Sequence, residues 1–159
     1  MKGSAWALRT PFRRQWSYAT RMPLTDRPRL LTIVSMAKIL IVDDDPDCIE
    51  LLSIHLLHRG HSVVGAKDGP AALEAVALER PNLILLDLRM PTVDGIRVIE
   101  ILRGNSLTAE TPIILMSAAD KEFATRRLRP DPIVRFLEKP LDFDVLDKTL
   151  VELLPAPAL

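Results

Sequence analysis

Cysteine is nearly absent: Cys48 is the one thiol in 159 residues, which excludes a disulfide scaffold and any zinc site built from paired cysteines. No apolar run approaches the roughly 18 residues that a membrane-spanning helix needs, so no membrane partner is expected. Aromatics are scarce and unevenly placed. Trp6, Phe12, Trp16 and Tyr18 precede residue 36, and beyond it the chain has neither Trp nor Tyr. Net charge is absent too, but by cancellation. Residues 1–35 hold seven Lys or Arg against Asp26 alone, whereas residues 36–159 hold 14 basic and 20 acidic side chains. An acidic domain lacks the charge footprint of a nucleic-acid binder, and no nucleic-acid partner is expected. What remains, 48% apolar and 26% charged residues, is the composition of a globular chain.

The leader, residues 1–35, contains Pro11, Pro23 and Pro28, scattered arginines and no sustained hydrophobic period. Its Arg-rich, acid-poor composition would also suit an organelle transit peptide, and it lacks the long apolar core of a secretory signal. The plainer reading is a disordered extension or a start-site artefact before a compact domain at 36–154, with a short tail at 155–159.

From Met36 onward five short apolar runs recur: Ile39 to Val42, Ser62 to Gly65, Leu83 to Leu86, Ile113 to Met116 and Ile133 to Leu137. The first, third and fourth are apolar throughout, as strands buried on both faces are. The Val63-Val64 run is weaker and suits a sheet edge. Helical stretches separate the runs. Asp45-Pro46 reads as an N-cap followed by proline at the first helical position, and Gly60 as a stop. Leu73, Val76 and Ala77 form the stripe of a second helix that ends before Pro81. Ile96, Ile99 and Leu102 form a third, with Arg97 and Glu100 outside it. Ser117 to Arg129 is the least periodic stretch. Phe143, Leu146, Leu150 and Leu153 mark the last helix. Five βα units predict an α/β, doubly wound, flavodoxin-like parallel sheet of strand order 2-1-3-4-5.

In such sheets chemistry lies beyond the carboxyl ends of the strands. Asp43, Asp44 and Asp45 follow the first run, Asp87 the third and Ser117 the fourth, with Lys139 two residues past the fifth. Gathered carboxylates repel one another, by about 4 kcal/mol per pair at 4 Å and an effective dielectric of 20. Three acids beside one lysine point to a bound hard cation with oxygen ligands, Mg²⁺ or Mn²⁺. A carboxylate can attack phosphorus, while a cation, a lysine and a hydroxyl can hold the phosphoryl oxygens. The set therefore reads as a phosphoaspartate site, with Asp45 as a helix cap. His55, His58 and His61 fall on the first helix and its exit. They are expected as exposed helix and turn residues, not ligands. Cys48 is expected as a half-buried structural thiol.

These segments resemble the receiver domain of two-component response regulators. The resemblance rests on Ile39-Leu-Ile-Val-Asp43-Asp44-Asp45, Leu83-Ile-Leu-Leu-Asp87-Leu-Arg-Met-Pro-Thr-Val-Asp94-Gly95, Pro112-Ile-Ile-Leu-Met-Ser117-Ala118 and Phe136-Leu-Glu-Lys139-Pro140, in order and at family spacing. It implies that Asp87 is the phosphoacceptor and that Asp44, Asp87 and the backbone carbonyl of Arg89 ligate Mg²⁺, with Asp43 acting mainly through water. It further implies that Lys139 and Ser117 contact the phosphoryl group, that Phe136 is the switch aromatic, and that Lys139-Pro140 is cis. The implied partners are a sensor histidine kinase or phosphotransfer protein, and an unknown output protein at the fourth-helix, fifth-strand and fifth-helix face. The implied protein is a cytoplasmic signalling domain, not an enzyme, standing alone because the chain ends at Leu159. It would signal by a conformational switch or by onward phosphotransfer. Arg89 and Ala119 fall where the family tunes dephosphorylation. The stretch Arg129-Pro-Asp-Pro132 departs from the family's usual glycine-containing turn, and with Arg126, Arg127 and Arg135 it forms a basic cluster. Two rival readings are a haloacid-dehalogenase-type phosphatase using Asp43-x-Asp45, which has Asp47 where that class has Thr or Val, and a pseudo-receiver scaffold.

Overall fold

A computed structural model describes residues 36–91, 93–118 and 121–155. The expectations for the leader at 1–35, for Ala119 and for most of the tail lie outside the described residues. The elements alternate as β1 (Lys38–Val42), α1 (Pro46–His58), β2 (Ser62–Ala66), α2 (Gly69–Glu79), β3 (Leu83–Asp87), α3 (Gly95–Arg103), β4 (Ile113–Ser117), α4 (Lys121–Arg127), β5 (Val134–Glu138) and α5 (Phe143–Leu153). The strands form one sheet in the order β2-β1-β3-β4-β5, with every neighbouring pair parallel. That is the flavodoxin-like order expected from the sequence, with the weak Val63-Val64 strand at an edge.

Alternation along each strand divides the core in two, because successive side chains point to opposite faces. Ile39, Ile41, Leu83, Leu85, Ile114 and Met116 pack with Leu52 and Leu56 of α1 and Leu146 and Leu150 of α5. Leu40, Val42, Ile84, Leu86, Ile113 and Leu115 pack on the other face with α2, α3 and Ala124 of α4. Both faces of β1, β3 and β4 are covered, which explains their unbroken apolar runs. Each fully buried Leu or Ile contributes about 1.5–3 kcal/mol of transfer free energy.

Local signals set the helix ends. Asp45, Asp68, Asp94 and Asp142 cap α1, α2, α3 and α5, each accepting a hydrogen bond from a backbone N–H of the first turn. Gly60 takes φ +87° after α1, the left-handed conformation that favours glycine. Two expectations need correction. The buried face of α2 is Gly69, Ala72 and Val76, and Ala77 is exposed. The helix packs through its small residues, and small residues give little hydrophobic signal. Of the histidines, only His58 is exposed. His61 is 4% exposed, and its Nδ1 accepts from the Ala37 N–H at 3.3 Å. His55 stacks on Phe143 with ring centroids 4.2 Å apart and meets Asp147 at 2.7 Å.

Candidate functional site

Parallel register brings the strand ends to one edge. Val42 pairs with Leu86, Asp87 with Met116 and Ser117 with Glu138. Asp43 follows β1 directly, Asp87 and Ser117 end β3 and β4, and Lys139 follows β5. The backbone continues the ladder past the strands: Asp43 N–H donates to Ala66 O at 3.1 Å, and Lys139 N–H to Ser117 O at 2.8 Å. The Lys139–Pro140 bond is cis, as the resemblance implied.

Lys139 binds the acids together. Its Nζ lies 2.6 Å from Asp43 Oδ2 and 2.8 Å from Asp87 Oδ1. Asp43 Oδ1 accepts from the Asp45 N–H at 3.0 Å. Asp43 is 1% and Asp87 5% exposed, while Asp44 is exposed at the mouth. One carboxylate oxygen from each of the three lies within 4.8 Å of the others. Burial raises the Asp87 pKa first, with Asp43 and Asp44 adding to it, against the pull of Lys139. For Lys139 burial acts downward, but its bonds to Asp43 and Asp87 prevail and hold the ammonium above its ordinary range. Two positive charges fewer than the acids would need, with hard oxygen donors throughout, make a pocket suited to a divalent cation such as Mg²⁺. Three anions facing one ammonium are relieved when that charge arrives.

Side-chain phase separates the site into two groups. Asp43, Asp87 and Lys139 continue the face of β1, β3 and β5 that meets α1 and α5. Ser117 and Phe136 are in register with residues packed toward α3 and α4. Ser117 is 6% exposed. Phe136 is half-buried against the α2–α4 side of the core and lines a groove of about 510 Å³ with Thr125, Leu128, Pro130, Pro132 and Val134. Arg89 lies exposed in the loop two residues past Asp87.

The remaining candidates have structural roles beside or beyond this pocket. Asp45 Oδ1 accepts from the Asp47 N–H at 3.0 Å, so it serves as the α1 cap. Cys48 is half-buried, and burial, followed by a hydrogen bond to Asp43 and that group's charge, pushes its thiol up to about 12. Such a thiol stays protonated at neutral pH and is not a reactive nucleophile. Three of the four arginines of the basic cluster form individual pairs: Arg126 with Glu122 at 3.8 Å, Arg127 with Asp94 at 3.1 Å and Arg135 with Glu152 at 3.8 Å. The Arg127–Asp94 pair joins residues 33 positions apart, and no local pattern in the sequence marks it.

A five-stranded doubly wound domain with an acidic, lysine-bridged pocket at its carboxyl edge has the architecture of a signalling receiver domain. The family model of the response regulator receiver domain matches residues 39–151, and the chain belongs to that family. Receiver domains are signalling domains that generally bind Mg²⁺ at an acidic pocket and interact with histidine kinases or phosphotransfer proteins. Protein PilH of Pseudomonas aeruginosa is 31% identical over 115 residues, covering 72% of this chain and 95% of PilH. The alkaline phosphatase synthesis transcriptional regulatory protein PhoP of Bacillus subtilis is 42% identical over 86 residues, 54% of this chain and 35% of PhoP. The chemotaxis response regulator CheY4 of Vibrio cholerae superposes with a TM-score of 0.69 at 29% identity, covering 76% of this chain and 100% of that one. The chain spans only 23% to 47% of the length of the first curated relatives it matches. No helix among the described residues is long and apolar enough to cross a membrane.

Proposed function

We propose that this chain is a phosphorylation switch in which Asp87 accepts a phosphoryl group from the phosphohistidine of a sensor histidine kinase or phosphotransfer protein. The observation that carries the reading is Lys139 Nζ bridging Asp43 and Asp87 at 2.6 and 2.8 Å, with a carboxylate oxygen of Asp44 within 4.8 Å of one from each. In the transfer the phosphohistidine N–P bond breaks and an O–P bond to an Asp87 carboxylate oxygen forms. The imidazole leaves with the electron pair.

Asp43, Asp44, Asp87 and the backbone carbonyl of Arg89 would hold Mg²⁺, Asp43 mainly through water. When bound, Mg²⁺ neutralises charge on the phosphoryl oxygens. The rest falls to the chain's own groups. Burial keeps Asp87 in a dry environment where a nearby cation acts strongly. Lys139 moves its ammonium from the two carboxylates to a phosphoryl oxygen. Ser117 donates its hydroxyl to another, and Phe136 turns inward with it. The new charge biases a two-state equilibrium, and the output is read on α4, β5 and α5 by a protein partner, or the phosphoryl group is passed on. Slow hydrolysis of the acyl phosphate resets the domain.

A receiver spanning 36–154 and acting alone is supported by the match to PilH, nearly all of which is spanned; a cytoplasmic location is part of the same reading. A pseudo-receiver scaffold is disfavoured because the three acids, the serine and the lysine are all present. Acetyl phosphate with Mg²⁺, followed by intact-mass measurement, is expected to add one phosphoryl group that Asp87→Asn abolishes. A gain that survives Asp87→Asn would overturn the assignment, and no gain in the wild type would revive the scaffold.

A further inference from the structure

Asp94, at the end of the loop that leaves Asp87, uses its two carboxylate oxygens for different elements. Oδ1 accepts from the Arg97 N–H at 2.8 Å and caps α3. Oδ2 accepts from Arg127 Nη1 at 3.1 Å. Arg127 is the last residue of α4, and its guanidinium lies 5.3 Å from the ring centroid of Phe123, one turn earlier on the same helix. The arginine is thus braced on α4 and reaches across to the α3 cap.

On the other side of Asp94 the contacts run straight to the site. The Gly95 N–H donates to Leu88 O at 2.9 Å, and a Cβ on Gly95 would stand 2.6 Å from the backbone oxygen of Asp87. The cap of α3 therefore sits against the backbone of Asp87 itself. From Asp87 through Gly95 and Asp94 to Arg127 and Phe123, short contacts form a continuous path. It passes through neither Ser117 nor Phe136.

We infer that Arg127 is a positioning residue, coupling α4 through Asp94 to the loop that carries the phosphoacceptor. The inference rests on the reading of Asp87 given above. Coupling is reciprocal. A shift of the loop on phosphorylation pulls on α4, and a partner whose acidic group takes Arg127 away from Asp94 frees the loop and changes how long the phosphoryl group stays. The side chains of Asp94 and Arg127 are 36% and 48% exposed, so the pair is partly screened, and its removal is expected to change the lifetime by about two- to fivefold.

The test uses the full chain with Mg²⁺. Two quantities are measured: the half-life of the phosphoryl group by intact mass after the donor is removed, and hydrogen exchange at the end of α4. The Leu128 N–H, bonded to Ala124 O at 2.8 Å, is a reporter there. Asp94→Asn keeps an N-cap acceptor and removes the charge. Arg127→Ala removes the partner and Arg127→Lys restores a cation. Arg126→Ala, next to it, is the control.

Asp94→Asn and Arg127→Ala are expected to change the half-life alike, the double variant no more than either, Arg127→Lys less, and Arg126→Ala not at all. Exchange at Leu128 is expected to rise in Asp94→Asn, although that residue lies outside α4. Unchanged half-lives, additive effects in the double variant, or unchanged exchange at Leu128 would overturn the coupling. Should the wild type take up no phosphoryl group, the reading of Asp87 fails separately, and exchange in Asp94→Asn alone decides the link: a rise supports it and no rise overturns it.

Discussion

His61 shows how a single side chain departs from its sequence context. A polar turn after α1 suggested an exposed ring, yet the turn folds under the start of β1 and the ring receives the Ala37 N–H. Burial lowers its pKa from 6.5, with Asp147 pulling upward and His55 pushing down. The folded state thus prefers the neutral ring, and the unfolded chain takes the proton more readily. The stabilisation is complete above about pH 6.5 and is lost as pH falls from there toward the folded value, by at most about 1.4 kcal/mol per pH unit. Urea midpoints measured at about pH 7.5 and about pH 5.5 should therefore fall more in the wild type than in His61→Asn. The convergence of the site residues, by contrast, was readable from the set of them, each following a different apolar run. A single Asp after an apolar run can simply cap the next helix, as Asp45 does, so it was the recurrence at several strand ends that was informative.

At the scale of elements, legibility followed side-chain size and length. Helix α3 announced itself through Ile96, Ile99 and Leu102, all buried, although Val98 is buried beside them. Helix α2 misled because Gly69 approaches so closely that a Cβ there would meet Val93 at 2.8 Å; close packing selects small residues and leaves Leu78 exposed. Helix α4 has only seven residues, too few for a period to declare itself. The end of α2 offers a test. Arg80 holds φ +47° at the C-cap, a left-handed conformation that costs a side chain about 1–2 kcal/mol. Arg80→Gly is expected to raise unfolding free energy by up to about 1 kcal/mol, measured by urea denaturation, with phosphoryl uptake unchanged.

For the whole molecule, the strand order was legible because alternating elements and right-handed crossovers leave few arrangements. The pairing of Asp94 with Arg127 was not, since it depends on how two helices meet and not on any local pattern. The convergence of acids predicts a global effect. Mg²⁺ binding only to the folded chain would stabilise it by mass action, about 2.7 kcal/mol at a hundredfold excess over Kd. The melting temperature is expected to rise with added Mg²⁺. Asp44→Ala should abolish most of that rise while leaving the metal-free melting temperature nearly unchanged, because Asp44 is exposed and no hydrogen bond of its side chain supports the fold among the described residues. A Mg²⁺ response that persists in Asp44→Ala would place the ion elsewhere.

The division of side chains by strand phase has a practical outcome. Asp43, Asp87 and Lys139 extend the layer of α1 and α5, while Ser117, Phe136 and the groove beside α4 extend the opposite layer. Apolar residues of the second layer can therefore be exchanged without touching a neighbour of Asp43, Asp87 or Lys139 on their own face of the sheet, provided Ser117 is kept.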